Sequence, residues 1–145
     1  MDWKTLFLTA NGRIGQKDFW IGWVILFAAG FILGMIPFLG MIIGIALIYP
    51  NVCVFSKRLH DFGKSGWLAA VPYAIACVGL ILMMVVGGAG MMASLGGAML
   101  ILLLMFVAGV AFLLWVGLTK GDPGENQYGP PPRSLIGDDA TTPVV

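Results

Sequence analysis

Charge is scarce in this sequence. Eight Lys and Arg and seven Asp and Glu make up only 10% of 145 residues. A soluble domain of this length needs a polar shell that so few charges cannot supply. Residues 19–56 carry no charged side chain, and neither do residues 65–119. The net charge of +1 argues against nucleic acid as a partner, because that role needs a strongly basic surface. Histidine occurs once, at His60, and cysteine twice, at Cys53 and Cys77. A single histidine without a cysteine cluster makes a poor metal site. The two cysteines fall at different expected depths in apolar surroundings, so free thiols are expected rather than a disulfide.

Long apolar runs take the place of charge. Apolar residues account for 59% of the chain, and the mean hydropathy is +0.96. As one helix, residues 19–56 would reach about 57 Å, nearly twice the hydrocarbon thickness of a bilayer. Pro37 and Gly40 in Ile36-Pro37-Phe38-Leu39-Gly40 supply the break. Residues 67–118 need two crossings by the same arithmetic, and the glycine-dense stretch 87–97 is the weakest place for a helix. The reading is an all-α membrane protein with four transmembrane helices, at about 19–35, 38–55, 67–86 and 98–118, arranged as two hairpins. Gly30 and Gly34 end the first helix, and Gly40 and Gly44 begin the second, so close helix packing is expected there. Pro72 falls early in the third helix, where it is best tolerated. Trp20, Trp23, Trp67 and Trp115 lie near expected helix ends, as an aromatic belt would.

The charged island Lys57-Arg58-Leu59-His60-Asp61-Phe62-Gly63-Lys64 divides the two apolar runs. Lys4, Arg13 and Lys17 precede the first helix, and Lys120 and Arg133 follow the fourth. All eight basic residues then fall on one face of the bilayer, and the positive-inside rule places that face and both termini in the cytoplasm. Residues 1–18 are expected to form a retained interfacial segment, with Trp3, Leu6 and Phe7 on one face and Gly15 as the cap of the helix that follows. Residues 119–145 read as a Gly/Pro-rich cytoplasmic tail, disordered after about 132.

Three motifs stand in order: Gly12-Arg13-Ile14-Gly15-Gln16-Lys17-Asp18-Phe19-Trp20, then Arg58-Leu59-His60-Asp61-Phe62-Gly63-Lys64-Ser65-Gly66-Trp67, then Gly124-Glu125-Asn126-Gln127-Tyr128-Gly129. Together they resemble the bacterial inner-membrane family called domain of unknown function 805, over roughly residues 3–132. Gln16 and Lys57 stand where that family usually has arginine, Leu68 where a second tryptophan is common, and Gln127 where arginine is common. The connection before the fourth helix looks long. The resemblance implies topology and location; the family carries no established activity.

Gly63-Lys64-Ser65 invites a phosphate-loop reading, but that motif needs a glycine where Arg58 stands. His60 and Asp61 are adjacent and would face different ways on a helix, which disfavours a catalytic relay. Met83, Met84, Met91, Met92 and Met99 are soft potential ligands for Cu(I), yet methionine is ordinary apolar filler. A structural cap explains more. If the second helix continues past the membrane surface, Arg58 and Asp61 face each other three residues apart. Asn51 lies on the same face deeper in, beside Pro50, where an amide satisfies freed backbone groups or bonds a neighbouring helix. The expected cap comprises Arg13, Lys17, Asp18, Arg58, His60, Asp61, Lys64, Ser65, Asn126 and Tyr128. The functional expectation is a non-enzymatic component of the inner membrane, without metal or cofactor, whose cap meets lipid headgroups, a protein partner or a second copy. A small transporter or channel subunit is the alternative, disfavoured because no charge lies within a helix. A membrane-interface enzyme ranks behind both.

Overall fold

The computed structural model describes residues 3–87 and 91–132, with residues 91–94 as backbone alone. The side chains of Met91 and Met92, Arg133 and the tail expected beyond it lie outside the described residues. The described part is all helical apart from a single antiparallel bridge between Asn126 and Gly129. Its elements are α1 (Trp3–Leu8), α2 (Gln16–Gly34), α3 (Leu39–Asp61), a short 3-10 helix (Gly66–Ala70) running into α4 (Val71–Gly87), and α5 (Met91–Leu118). Four helical segments are long and apolar enough to cross a membrane: Gln16–Gly34, Leu39–Asp61, Gly66–Gly87 and Leu95–Leu118. The chain is a multi-pass membrane protein by that measure.

Each helix starts and stops for a local reason. Gly15, extended at φ −71° and ψ 169°, stands at the N-cap of α2, and Asp18 places a negative charge in the first turn. Between α2 and α3 the Leu39 amide donates to the Pro37 carbonyl at 2.7 Å, and Phe38 takes φ +62° and ψ −45°. That is a positive-φ γ-turn, a strained conformation for a side-chain-bearing residue. Gly40 makes so tight a reversal feasible, since a Cβ there would lie 2.6 Å from the Gly34 carbonyl oxygen. Of the other glycines expected to pack, Gly30 would meet only Leu47, at 3.5 Å, while Gly34 and Gly44 face open space. The close approach is thus local to the turn.

Two elements run further than the residue pattern suggests. α3 continues from Phe55 to Asp61, about 9 Å more of helix. Charged residues read as loop in the sequence, but Lys57, Arg58 and Asp61 are buried here and paired. α5 begins at Met91 rather than near Ala98. Gly97 serves packing instead of interrupting the helix: a Cβ there would come within 2.6 Å of the Val86 side chain on α4. Gly79 of α4 is likewise covered by Met105 of α5.

α2 packs on α3 and α4 on α5, while α1 and the 3-10 helix both pack on α3. The buried apolar residues gather at one end, where Leu6, Ile14, Phe19, Val54, Leu59, Phe62, Ala69 and Val116 form a single cluster. Gly22 leaves room for Leu6, whose side chain fits between α2 and Val54 of α3. Beside this core runs a chain of aromatic contacts: Phe19 to Phe55 at 5.2 Å, Phe55 to Phe112 at 5.9 Å, Phe112 to Trp115 at 5.8 Å and Trp115 to Phe62 at 5.6 Å. Such pairs contribute about 0.5–1.5 kcal/mol each beyond their buried area. Away from this end, large side chains such as Phe31, Ile42, Leu82 and Leu103 are exposed. In a membrane those faces meet lipid, and no hydrophobic force draws them together. Cys53 is buried, Cys77 is exposed, and both are free thiols.

Candidate functional site

The start of α2 with the connection before it, the end of α3 and the end of α5 converge on one polar cluster. Asp61 is its centre. Arg13 donates to Asp61 Oδ1 from Nε at 3.1 Å and from Nη2 at 3.0 Å. Arg58, one helical turn before Asp61, donates to the other carboxylate oxygen, Oδ2. The side chains of Arg58 and Asp61 are 0% and 4% exposed. Two guanidinium groups thus share one buried carboxylate, an oxygen each. The excess positive charge is offset by main-chain carbonyls.

Those carbonyls belong to the ends of other elements. Arg58 donates from Nε to the Val116 carbonyl at 3.1 Å, from Nη1 to Ile14 at 3.4 Å and from Nη2 to Thr119. Val116 is in the last turn of α5, whose carbonyls lack helical partners and carry partial negative charge, so a cation is favoured there. Gln16 adds a further cap, donating to the Leu118 carbonyl at 2.9 Å. Arg13 reaches the segment after α5, donating to the carbonyls of Asp122 at 2.6 Å, Gly124 at 2.7 Å and Gly129 at 3.1 Å. The Asp122 amide donates back to the Asp61 carbonyl at 2.7 Å. Every buried polar side-chain atom among the described residues has a partner.

The connection 9–15 and the segment 119–129 are ordered by these bonds rather than by secondary structure. The Ile14 amide donates to the Lys57 carbonyl at 3.3 Å. Lys57 Nζ caps the end of α1, donating to the carbonyls of Thr5 and, at 2.7 Å, of Leu6. Asn126 donates to the His60 carbonyl at 2.9 Å and to Asp122 Oδ2 at 2.8 Å, and its Oδ1 accepts from the Tyr128 amide at 3.0 Å. Gly129, at φ +114°, closes that turn in a conformation that favours glycine. Tyr128 is thereby laid on the His60 ring, with centroids 3.8 Å apart and planes 9° from parallel. His60 Nδ1 lies 3.1 Å from the Gly12 carbonyl, so Nδ1 carries the proton.

Of the residues expected in the cap, Arg13, Arg58, His60, Asp61, Asn126 and Tyr128 form this connected set. Asp18 is buried in the first turn of α2. Ser65 is separate in role: it caps the 3-10 helix by accepting from the Trp67 amide at 3.4 Å. Lys17 and Lys64 are exposed at the rim. Lys57, Gln16, Asp122 and Gly121 belong to the cluster although the residue pattern did not single them out. Lys57 opens the charged island and Gln16 stands in the first motif, but neither is among the residues expected in the cap. No spacing rule connects Gly121 to Asp61, 60 positions away in the chain.

Chemically the cluster is a clamp. Both guanidinium groups and the carboxylate are engaged inside the protein. The clamp ties α1, both helix pairs and the segment after α5 to one another.

Comparison with known proteins bears on the same region. The chain matches the model of the family described as "Protein of unknown function (DUF805)" over residues 7–130, which takes in Arg13, Arg58, Asp61 and the segment 119–129. It is 33% identical over 131 residues to "Uncharacterized protein YiiR" of Escherichia coli strain K12, with 82% of each chain covered. The protein of the same name in Escherichia coli O157:H7 matches to the same extent. No solved structure matches the chain. With four membrane-length helices and a family match from α1 to the turn at Gly129, the chain belongs to the DUF805 family of proteins of unknown function.

Proposed function

We propose that this protein is a non-enzymatic component of the bacterial inner membrane, built as two antiparallel helical hairpins with its polar clamp and both termini in the cytoplasm. One observation carries the reading: the buried ionic groups are committed to holding the clamp together. Arg13 and Arg58 therefore stabilise the cytoplasmic end, and contact with the surroundings falls to its rim. Lys4, Lys17, Lys64 and Lys120 are exposed there. A rim of lysines at the membrane surface attracts anionic headgroups, at about 1 kcal/mol per basic residue. The positive-inside bias of all eight basic residues supports the orientation.

Reporter fusions and lipid retention test the two halves of this reading. Reporters active only in the cytoplasm should work at Gly63 and at the C-terminus alike, and a periplasmic reporter active at Gly63 refutes the orientation. For the rim, native mass spectrometry of protein purified from phosphatidylglycerol-containing membranes should show retained anionic lipid. The combined Lys4→Gln, Lys64→Gln and Lys120→Gln variant should lose most of it. Equal retention by this variant and its parent rules out the rim as the lipid contact.

A further inference from the structure

A second polar feature lies inside the membrane-spanning region, away from the clamp. Asn51 stands seven residues before Arg58, about 10 Å further into the bundle along α3. Its amide donates to the Leu47 carbonyl at 2.9 Å, one turn back and beside the Pro50 interruption. That bond uses one N–H of two, and among the described residues the amide oxygen has no partner. Asn51 lines a cleft of about 510 Å³ between the two helix pairs, to which α2, α3, α4 and α5 all contribute. Tyr73, in the first turn of α4, lines the same cleft, and among the described residues its hydroxyl has no hydrogen-bond partner. The remaining wall is apolar and rich in rings, from Trp23, Phe55, Phe106 and Phe112.

We propose that this cleft is a binding site for an uncharged, lipid-soluble molecule carrying a carbonyl oxygen on a hydrocarbon tail. Polar groups without partners are costly in hydrocarbon, so the Tyr73 O–H and the second Asn51 N–H favour an occupant that supplies an acceptor. Both can donate to a carbonyl oxygen, while the open Asn51 oxygen can accept from a hydroxyl or N–H on the same occupant. No charged side chain lines the cleft, so a phosphate or carboxylate head would be buried without a counter-ion. Its size and its mainly apolar lining, with few polar groups, are those of small-molecule sites. The helix pairs are held together at the clamp end and expose their far halves, so a tail can leave the cleft sideways into the bilayer. Two natural sources share this chemistry, a free isoprenoid quinone and the uncharged acyl-ester portion of a phospholipid whose charged head stays outside the cleft.

Binding can be read from tryptophan fluorescence, since Trp23 lies in the cleft wall. Full-length protein in dodecyl maltoside is titrated with a decyl-chain benzoquinone and, separately, with phosphatidylcholine brominated on its acyl chains; both quench tryptophan. One probe should quench saturably, and Trp23→Phe should remove the saturable part. Tyr73→Phe and Asn51→Leu should each weaken binding about tenfold, the effect of losing one hydrogen bond to an otherwise well-held ligand. Gly109 also lines the cleft, and a Cβ there meets nothing within 4 Å. Gly109→Leu should therefore fill the site without disturbing the fold, and it keeps the test valid if Asn51→Leu fails to fold. Gly96→Leu, equally free of close neighbours but outside the cleft, should bind like the parent. Saturation by the quinone assigns the site to a free carbonyl compound. Saturation by the brominated lipid, without competition from the quinone, assigns it to an acyl ester. The proposal is overturned if neither probe saturates, or if Tyr73→Phe and Gly109→Leu bind like the parent. None of these outcomes depends on the lysine rim.

Discussion

Gly121 lies directly against the carboxylate of Asp61, so close that a Cβ at this position would overlap the Asp61 oxygens. The carboxylate shared by two buried arginines is thus covered by a residue with no side chain, just after the end of α5. Gly121→Ala should displace either the carboxylate or the segment 119–124, at about 1–3 kcal/mol or more, as overpacking of a tight site does. Thermal unfolding at fixed detergent and salt measures it. An unchanged melting temperature would mean that the clamp tolerates a shift at Asp61.

The sharing of Asp61 between Arg13 and Arg58 predicts an asymmetry among the clamp variants. Asp61→Ala leaves two buried guanidinium groups without their counter-ion and should cost the most, about 3–5 kcal/mol. Arg58→Ala should also be severe, because it frees the carbonyls of Val116 and Thr119 together. The double variant Arg58→Ala with Asp61→Ala should lose less than the sum of the two. A double-mutant cycle on purified protein checks this, and strict additivity would remove the coupling.

Lys57 should matter most directly to α1. Its ammonium group caps the carbonyls of Thr5 and Leu6, with Tyr49 donating to the Leu8 carbonyl at 2.9 Å. Lys57→Met should keep the bundle folded but loosen α1, making the connection near Asn11 and Gly12 newly sensitive to limited proteolysis. If digestion of the variant matches that of the parent, packing of Leu6 holds α1 in place by itself.

Glycine substitutions should divide by what surrounds them. Gly40→Leu places atoms into the backbone of Gly34 and should destabilise the turn, whereas Gly44→Leu enters open space and should be mild. Gly117 lies outside the GxxxG pattern, yet its Cβ would fall 2.5 Å from the Trp20 ring, so Gly117→Leu should be as harmful as Gly40→Leu. Melting temperatures of the three variants rank them. A harmful Gly44→Leu would reveal a contact beyond this single chain.

Much of the architecture is legible in residue order alone. Two uncharged runs, each too long for one crossing, require four membrane-length helices, and Pro37 with Gly40 marks the first break. Both conclusions rest on local chemistry, since an apolar run and a proline behave alike whatever lies beside them. The i, i+3 spacing of Arg58 and Asp61 likewise follows from helix geometry once α3 is known to continue. Tertiary structure alone decided that α3 does continue, because a helix carrying Lys57, Arg58 and Asp61 can be buried only if Arg13, α1 and the end of α5 satisfy those charges. It decided too that Gly97 packs on Val86 within a helix instead of opening a loop, since a glycine's own sequence does not reveal what will approach it. Gly121 over Asp61, Tyr128 on His60, and Asn51 with Tyr73 in one cleft are pairings between distant parts of the chain. Such pairs leave no periodic trace in the sequence, and only the packing of the two helix pairs brings them within reach.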